Sequence, residues 1–265
     1  MEQHTDIGII GGNGALGSAL ARALLRTDTV GAGRLWVSCR SGAAPALADW
    51  PGIHVTDDNQ ALAERCATIV LAIPPVAMDG LAIAAPDALV ISVMAGPTAE
   101  RIAGATGARA VIRAMSSPPA ADLGLAFSPF WAGPGASAGD RETARALLAA
   151  AGETAELDRE DQVDLFTAIT GPVPGVLAAV AEAIRAHAGR HGTPPDIAAL
   201  ATRQLFRASG AIMADPQNDP ADYVAEMIAY AGTTAAALET LRRGPLAEAI
   251  AEALDAAAAK ARDMG

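Results

Sequence analysis

Near its start the chain passes from a short apolar run, Ile7–Ile10, straight into Gly11-Gly12-Asn13-Gly14-Ala15-Leu16-Gly17 and then into a helix-forming stretch, Ser18–Arg26. Gly12, Gly14 and Gly17 fit the G-x-G-x-x-G spacing that joins a parallel strand to a helix around a pyrophosphate. The first glycine permits the tight turn, the second lets the backbone approach phosphate, and the third lets the helix pack on the strand. The helix start adds open N–H donors and a partial positive charge. Such a turn is a weak signal alone; a strand before it and a helix after it give it meaning. Gly12, Asn13, Gly14, Ala15, Leu16 and Gly17 are therefore expected to bind a dinucleotide, the plainer alternative being a glycine-rich turn without a ligand.

The same alternation continues. Apolar runs at Arg34–Ser38, Thr68–Ile73, Ala88–Val93 and Ala110–Ala114 are mostly bounded by Gly, Pro or Asp, with helical stretches Asn59–Arg65 and Pro97–Gly104 among them. Nearly continuous hydrophobic runs suit strands buried on both faces. Alternation with helices implies right-handed βαβ units and a parallel sheet. A further strand is expected near Leu125–Phe127, and a helix over Arg141–Ala151. From about Asp158 the pattern becomes helical: Gln162–Ala188, Asp196–Ala214, Asp222–Ile228, Thr233–Arg243 and Leu246–Arg262. Gly171-Pro172-Val173-Pro174-Gly175 interrupts the first of these, because proline lacks a backbone donor and clashes with the preceding turn. A length of 265 residues favours two domains over one. The expected fold is an α/β Rossmann dinucleotide-binding domain over 1–158, followed by an all-α domain over 159–265.

Composition narrows the function. A formal net charge of −11 argues against nucleic acid, which requires a basic face. Cys39 and Cys66 form neither a disulfide framework nor a metal-ligand spacing, and no metal is expected. Met1–Ile10 carries Glu2 and Asp6, and its apolar run is too short for a signal peptide or a membrane span, which reads as cytoplasmic. Lys260 is the only lysine and sits in the polar tail, so chemistry needing an interior lysine is disfavoured.

The end of the second strand reads Trp36-Val37-Ser38-Cys39-Arg40-Ser41. An NAD site usually places a carboxylate here to accept from the ribose 2′-hydroxyl. Arg40 can instead pair with a 2′-phosphate, and Ser41 can donate to it, which favours NADPH (NADP). The alternative is that Arg40 is only a solvated loop cation.

Over nearly its whole length the sequence resembles the pyrroline-5-carboxylate reductase family. Val37-Ser38-Cys39-Arg40-Ser41 is similar to that family's nucleotide-discriminating loop, and Asp58-Asn59 to an Asp-Asn pair lining the adenosine side. Ile69-Val70-Leu71-Ala72-Ile73 resembles the strand ending beside the cofactor, Ser92-Val93-Met94-Ala95-Gly96 the next, and Arg113-Ala114-Met115 the start of an Arg-x-Met-Pro-Asn segment. Asn59, Ala72, Ile73 and Pro74 are thereby implied as cofactor contacts. Asp164-Leu165-Phe166-Thr167-Ala168 precedes Thr170-Gly171-Pro172-Val173-Pro174-Gly175, in the place of Ser-Gly-Ser-Gly-Pro-Ala. Ala231-Gly232-Thr233-Thr234 stands for Gly-Gly-Thr-Thr, with Leu238-Glu239 following at the family's spacing. The resemblance implies that Gly232, Thr233 and Thr234 hold the carboxylate of a small imino-acid substrate, with Thr170 in the substrate-side turn. It also implies a helical domain that forms a homodimer and completes the active site. Departures from the pattern are Pro74-Pro75 for Lys-Pro, Ser116-Ser117 for Pro-Asn, Thr170 and Pro172 for two serines, Tyr230 for a proline, and one extra residue in the glycine-rich turn.

The implied substrate segments hold few titratable groups: Thr170, Ser116, Ser117, Thr233, Thr234 and Tyr230. That poverty suits reduction of an imine, which arrives protonated and needs positioning, better than oxidation of an alcohol, which needs a general base. The candidate catalytic residues are Thr234 and Tyr230, the latter as proton donor. Each has a plainer alternative: the threonines could cap the next helix, and Tyr230 could be a core or interface aromatic. Arg113 is read as a structural ion-pair partner, and His187 and His191 as surface histidines rather than a metal pair. Two rival readings remain: a 3-hydroxyacid-dehydrogenase-like enzyme, which would need an interior lysine, and a non-catalytic dinucleotide-binding protein, for which Pro172 speaks.

The cofactor reading is open to test by Arg40→Asp. Losing a charge-assisted hydrogen bond costs roughly 1.5–3 kcal/mol, so NADPH affinity should fall about tenfold or more while NADH affinity holds or improves. Fluorescence titration with both cofactors checks this; equal losses for the two would make Arg40 structural.

Overall fold

The computed structural model describes residues 6–264, so the first five residues of the Met1–Ile10 stretch lie outside them. The chain opens with β1 (Asp6–Ile10), α1 (Ala15–Arg26), β2 (Leu35–Ser38), β3 (His54–Thr56), α2 (Asn59–Arg65) and β4 (Cys66–Leu71). It continues through β5 (Leu89–Ser92), α3 (Ala99–Thr106), β6 (Ala110–Ala114), α4 (Pro118–Leu123), β7 (Ala126–Phe127), β8 (Phe130–Ala132), α5 (Ala138–Ala149) and β9 (Gly152–Glu153). Helices α6 (Asp161–Thr170), α7 (Val173–Arg190), α8 (Pro195–Met213), α9 (Pro220–Ala229), α10 (Thr233–Arg243) and α11 (Leu246–Arg262) complete it. Two compact units result: one runs through Gly171 and takes in the chain from Ala256, and the other is Pro172–Asp255.

The first unit is built on a seven-stranded sheet of order β3-β2-β1-β4-β5-β6-β8. All neighbours are parallel except β6 and β8, which are antiparallel. The first six strands follow the Rossmann order, with chain reversal between β1 and β4. The register sets Ile9 beside Val37 and Val70, and Ile10 beside Leu71. Apolar residues on both sheet faces are covered: Leu20, Leu24 and Leu147 belong to one core, Leu62, Met78 and Ile102 to the other. Some helix starts carry side-chain caps. Asp58 accepts from the amides of Gln60 and Ala61, and Thr98 from Arg101.

Strands β3, β8 and β9 were not expected from the sequence. His54–Thr56 and Phe130–Ala132 hold three residues each, too few to show a period. The strand expected near Leu125–Phe127 exists, but it pairs with β9 in a separate two-stranded sheet. The break at Gly171-Pro172 takes the expected form: α7 starts at Val173, which puts Pro174 in its first turn, where a missing N–H is harmless.

Arg113, 1% exposed on β6, ties α6 to the sheet. Its guanidinium donates to Asp164 at 2.7 Å and Glu160 at 3.2 Å, which is the structural role read for it. The stretch Asp161–Arg190 is long and apolar enough to cross a membrane by composition alone. The Gly171-Pro172 break divides it, and α6 buries Val163 and Ala168 in the first unit.

In the second unit the buried side chains among the described residues are small, Ala198, Thr202 and Ala235. Large apolar side chains face outward instead: Leu177, Val180 and Ile184 on α7, and Ile197, Leu200, Leu205 and Ile212 on α8. The helices form because their sequences favour them; their apolar stripes have nothing in the unit large enough to bury them.

The start of α5 concentrates polar interactions. Asp140 and Ser137 form a reciprocal capping box, and Arg109 grips the Asp140 carboxylate with bonds of 2.8 and 2.7 Å. The bonds from Arg109 first, then those from Ser137, hold the Asp140 carboxyl well below the usual carboxylate range against the opposing effect of its burial. Since the folded group titrates below its unfolded value of about 3.9, this stabilisation is complete above that value and is lost as pH falls through the folded one. Asp140→Asn should cost about 1–3 kcal/mol at neutral pH. Urea denaturation should show the gap between the two proteins narrowing in acid; a gap independent of pH would deny the ion pair its role.

Candidate functional site

The carboxyl ends of β1, β2 and β4 converge on the glycine-rich turn. The N–H groups of Gly11 and Gly12 both donate to the Ser38 carbonyl, at 3.0 and 3.1 Å, and the Gly14 N–H donates to Gly11 at 2.9 Å. The tight turn falls on Gly11, with φ +85°, rather than on Gly12 as expected. A side chain there would be strained, and its Cβ would sit 2.6 Å from the Ala72 carbonyl oxygen. The signal in the sequence was the doubled glycine. Gly17 has the expected packing role, since a Cβ on it would strike the backbone of Gly11 and Gly12.

Helix α1 begins after Gly14 with no side-chain cap and no acidic residue in its first turn. The amides of Asn13, Ala15 and Leu16 take no backbone acceptor among the described residues. Open donors, a helix dipole and glycine-lined space together make a cradle for a pyrophosphate. It lies at the switch point of the sheet, where open α/β folds bind ligands.

The residues expected on the adenosine side are stitched to this turn. Cys39 donates its N–H to the Thr56 carbonyl at 3.0 Å, and the Ser38 hydroxyl donates to Asn59 Oδ1 at 2.7 Å. Asn59 thus starts α2 with its amide oxygen occupied and its NH2 donors unused. Arg40 and Ser41 are exposed. Arg40 pairs with no carboxylate among the described residues, while Ser41 gives its hydroxyl proton to the Ala43 carbonyl at 3.1 Å. Ala72 and Ile73 are half-buried and Pro74 is exposed, directly after β4. The Ala72 N–H donates to the Ile10 carbonyl at 2.9 Å, fixing this segment beside the turn.

Two buried hydroxyls after β6 form a pair, Ser128 donating to Ser116 at 2.9 Å, and Ser117 is buried next to them at the start of α4. Thr170 closes α6, and its hydroxyl is spent on the Phe166 carbonyl at 2.8 Å.

The second unit holds the other candidates together. Tyr230 ends α9 and is 85% exposed, and a Cβ placed on Gly232 would lie 3.4 Å from its ring. Ala231 adopts φ +57°, and Gly232 is the N-cap of α10 without a side-chain bond. Thr233 and Thr234 are the first residues of α10, both exposed. Neither hydroxyl bonds to backbone among the described residues, so neither threonine serves as the cap. What remains is a helix start with open amides and two free hydroxyls, an arrangement suited to an anion. His187 and His191 face each other with ring centroids 4.7 Å apart on the same helical stretch.

A wider cleft, about 920 Å3, opens at the opposite edge of the sheet beside Cys66, Thr68, Ala88 and Arg109. The Cys66 thiol is pushed up to about 12 by burial and by Asp6, so it is no nucleophile. The cradle at the carboxyl ends is the better candidate, because unpaired backbone donors converge there and the cleft beside Cys66 has no such set among the described residues.

Comparison with known proteins agrees with this geometry. Residues 160–264 match the family described as pyrroline-5-carboxylate reductase dimerisation, and residues 6–96 match NADP oxidoreductase coenzyme F420-dependent. A pyrroline-5-carboxylate reductase of Thermus thermophilus is 30% identical over 259 residues, covering 96% of this chain and 95% of that protein. A structure of a pyrroline-5-carboxylate reductase from Coxiella burnetii superposes with a TM-score of 0.86 at 22% identity, covering 99% of each chain. Plasmodium falciparum pyrroline carboxylate reductase, solved with NADP bound, gives 0.81 at 19% identity over 100% of this chain and 99% of that one.

The left-handed Ala231 yields a prediction. Ala231→Gly removes a cost of roughly 1–2 kcal/mol for a side chain in that conformation and adds part of it back as unfolded-chain entropy. A net gain of about 0.5–1 kcal/mol follows, measurable as a raised thermal midpoint; a lowered midpoint would mean the turn is not strained.

Proposed function

The chain belongs to the pyrroline-5-carboxylate reductase family, and from that membership we propose that it is an NADPH-dependent reductase of 1-pyrroline-5-carboxylate or a closely related cyclic imino acid. What carries the proposal is that the relatives match the chain from end to end while both loops its chemistry requires keep open backbone donors. NADPH supplies a hydride to the C=N carbon, and the nitrogen keeps or gains one proton, giving the cyclic amine.

The protein's part is binding and charge. Gly12, Asn13, Gly14, Ala15, Leu16 and Gly17 receive the pyrophosphate, at the helix start described above. Arg40 pairs with the 2′-phosphate, and Ser41 adds a donor once its bond to Ala43 is exchanged. Asn59 offers its free NH2 on the adenosine side, and Ala72, Ile73 and Pro74 border the nicotinamide half. Gly232, Thr233 and Thr234 hold the substrate carboxylate, Thr234 through its hydroxyl as well. Thr170, whose hydroxyl donates to the Phe166 carbonyl, is read as part of the substrate-side turn. Tyr230, the one exposed phenol beside these residues, returns a proton to nitrogen when the imine arrives neutral.

The outward apolar stripes of α7 and α8 favour a homodimer through the helical half, in keeping with the dimerisation match over 160–264. The domain division we favour is a nucleotide-binding part over 1–158 and a substrate and dimerisation part over 159–265. The chain is read as cytoplasmic, with no nucleic acid or membrane partner.

Thr234→Ala tests the assignment. Following NADPH consumption with 1-pyrroline-5-carboxylate, kcat/KM should fall roughly ten- to a hundredfold, the equivalent of one hydrogen bond to a charged group. Thr234→Ser should keep most of the activity, and NADPH affinity should barely move. An alanine variant with a lower melting temperature but normal turnover would make Thr234 a purely structural residue. No turnover of any cyclic imine by the native protein would overturn the function itself.

A further inference from the structure

Strand β3 brings a carboxylate to the loop that holds Arg40. No Asp or Glu stands at the end of β2, yet β3 pairs with β2 in parallel, Val37 beside Val55 and Ser38 beside Thr56. The residue after β3 is Asp57, and the Cys39 amide bonded to the Thr56 carbonyl holds the two strand ends together. A methyl group placed on Gly42, two residues beyond Arg40, would lie 3.8 Å from the Asp57 Cβ.

Asp57 is also free to act. Its neighbour Asp58 is engaged as the cap of α2. Asp57 is exposed, and among the described residues it accepts no hydrogen bond and joins no ion pair. Arg40, equally exposed, leaves it unpaired. One loop therefore presents a fixed positive charge and, from the adjoining strand, a fixed negative one.

We propose that Asp57 is a specificity-determining residue of the dinucleotide site, weakening the preference for a 2′-phosphate and offering an acceptor to a ribose 2′-hydroxyl. The inference rests on reading the Arg40 loop as the ribose side of that site. Opposing charges a few residues apart in solvent can each be felt by one bound group, because the phosphate bears two charges and the hydroxyl none. Repulsion of such a dianion by one carboxylate across several ångströms of water-rich surface amounts to roughly a three- to tenfold effect on affinity. The hydroxyl gains a charged acceptor in its place.

The test is calorimetric titration of the full-length protein and of Asp57→Asn with NADPH and NADH. The variant should bind NADPH about three- to tenfold tighter and NADH no tighter, so that the affinity ratio rises at least threefold. Asp57→Ser should move the ratio the same way, which guards against a peculiarity of one side chain. An unchanged ratio with both cofactors still bound would overturn the role of Asp57 and leave the nucleotide site standing. Equal tightening of both would place its charge on the pyrophosphate and also overturn the proposal. Binding of neither cofactor by the native protein would overturn the nucleotide site and this inference with it.

Discussion

Two amides meeting one carbonyl hold the nucleotide-binding half together. Gly11 and Gly12 both donate to Ser38, which draws the end of β1 onto the end of β2, and Gly11 packs against Ala72 at the end of β4. A turn that close tolerates no side chain at Gly11, and the helix that leaves it tolerates none at Gly17. The consequence reaches beyond the turn. Because the chain doubles back so tightly, α1 starts over the sheet edge with nothing capping it, and its open donors are left for a ligand. Ser38 then uses its hydroxyl to fix Asn59, so that one residue at the end of β2 ties the glycine-rich turn to the start of α2.

The helical half obeys a different constraint. Its helices are Ala-rich, so they pack closely but bury little. The first unit hides whole leucine and isoleucine side chains between layers, whereas the second buries only Ala198, Thr202 and Ala235 and leaves its long aliphatic residues outside. Burial of apolar area at roughly 25 cal/mol per Å2 is the main favourable term in folding, and these helices gain little of it alone. The uncovered stripes of α7 and α8 lie within the stretch that matches the family's dimerisation model, residues 160–264.

Much of this was legible in the sequence because periodicity and punctuation are strong where elements are long. The β1 turn, the strands β1, β2, β4, β5 and β6 of the central sheet and the run of helices beyond Asp158 could be read directly. β3 and β8 could not, since three residues show no period, and their place depends on hydrogen bonds to β2 and β6 that are distant in sequence. That gap mattered chemically: without β3, Asp57 looks like a loop residue rather than a neighbour of Arg40. The choice of Gly11 over Gly12 as the turning residue was hidden too, because a spacing rule counts glycines and is silent on which one takes φ above zero. The threonines of α10 show the reverse case. Sequence left capping and ligand binding open, and the structure disfavours capping because Gly232 already fills that position.

The loop before α10 shows how departures from a family pattern compensate one another. Where the resemblance places proline and glycine, this chain has Tyr230 and Ala231. Tyr230 adopts φ −65°, a value a proline ring would also impose. Unlike proline, it retains an N–H, which donates to the Glu226 carbonyl at 3.0 Å and extends the hydrogen bonding of α9. Such a bond contributes about 0.5–1.5 kcal/mol, comparable to the roughly 1–2 kcal/mol that Ala231 loses in its left-handed conformation. The loop thereby offsets its one strained residue, and Gly232, Thr233 and Thr234 begin α10 with their donors open. The exchange also sets a phenol beside those donors where a proline would have offered no polar group, which ties the one new functional group in the loop to the same substitution that offsets its strain.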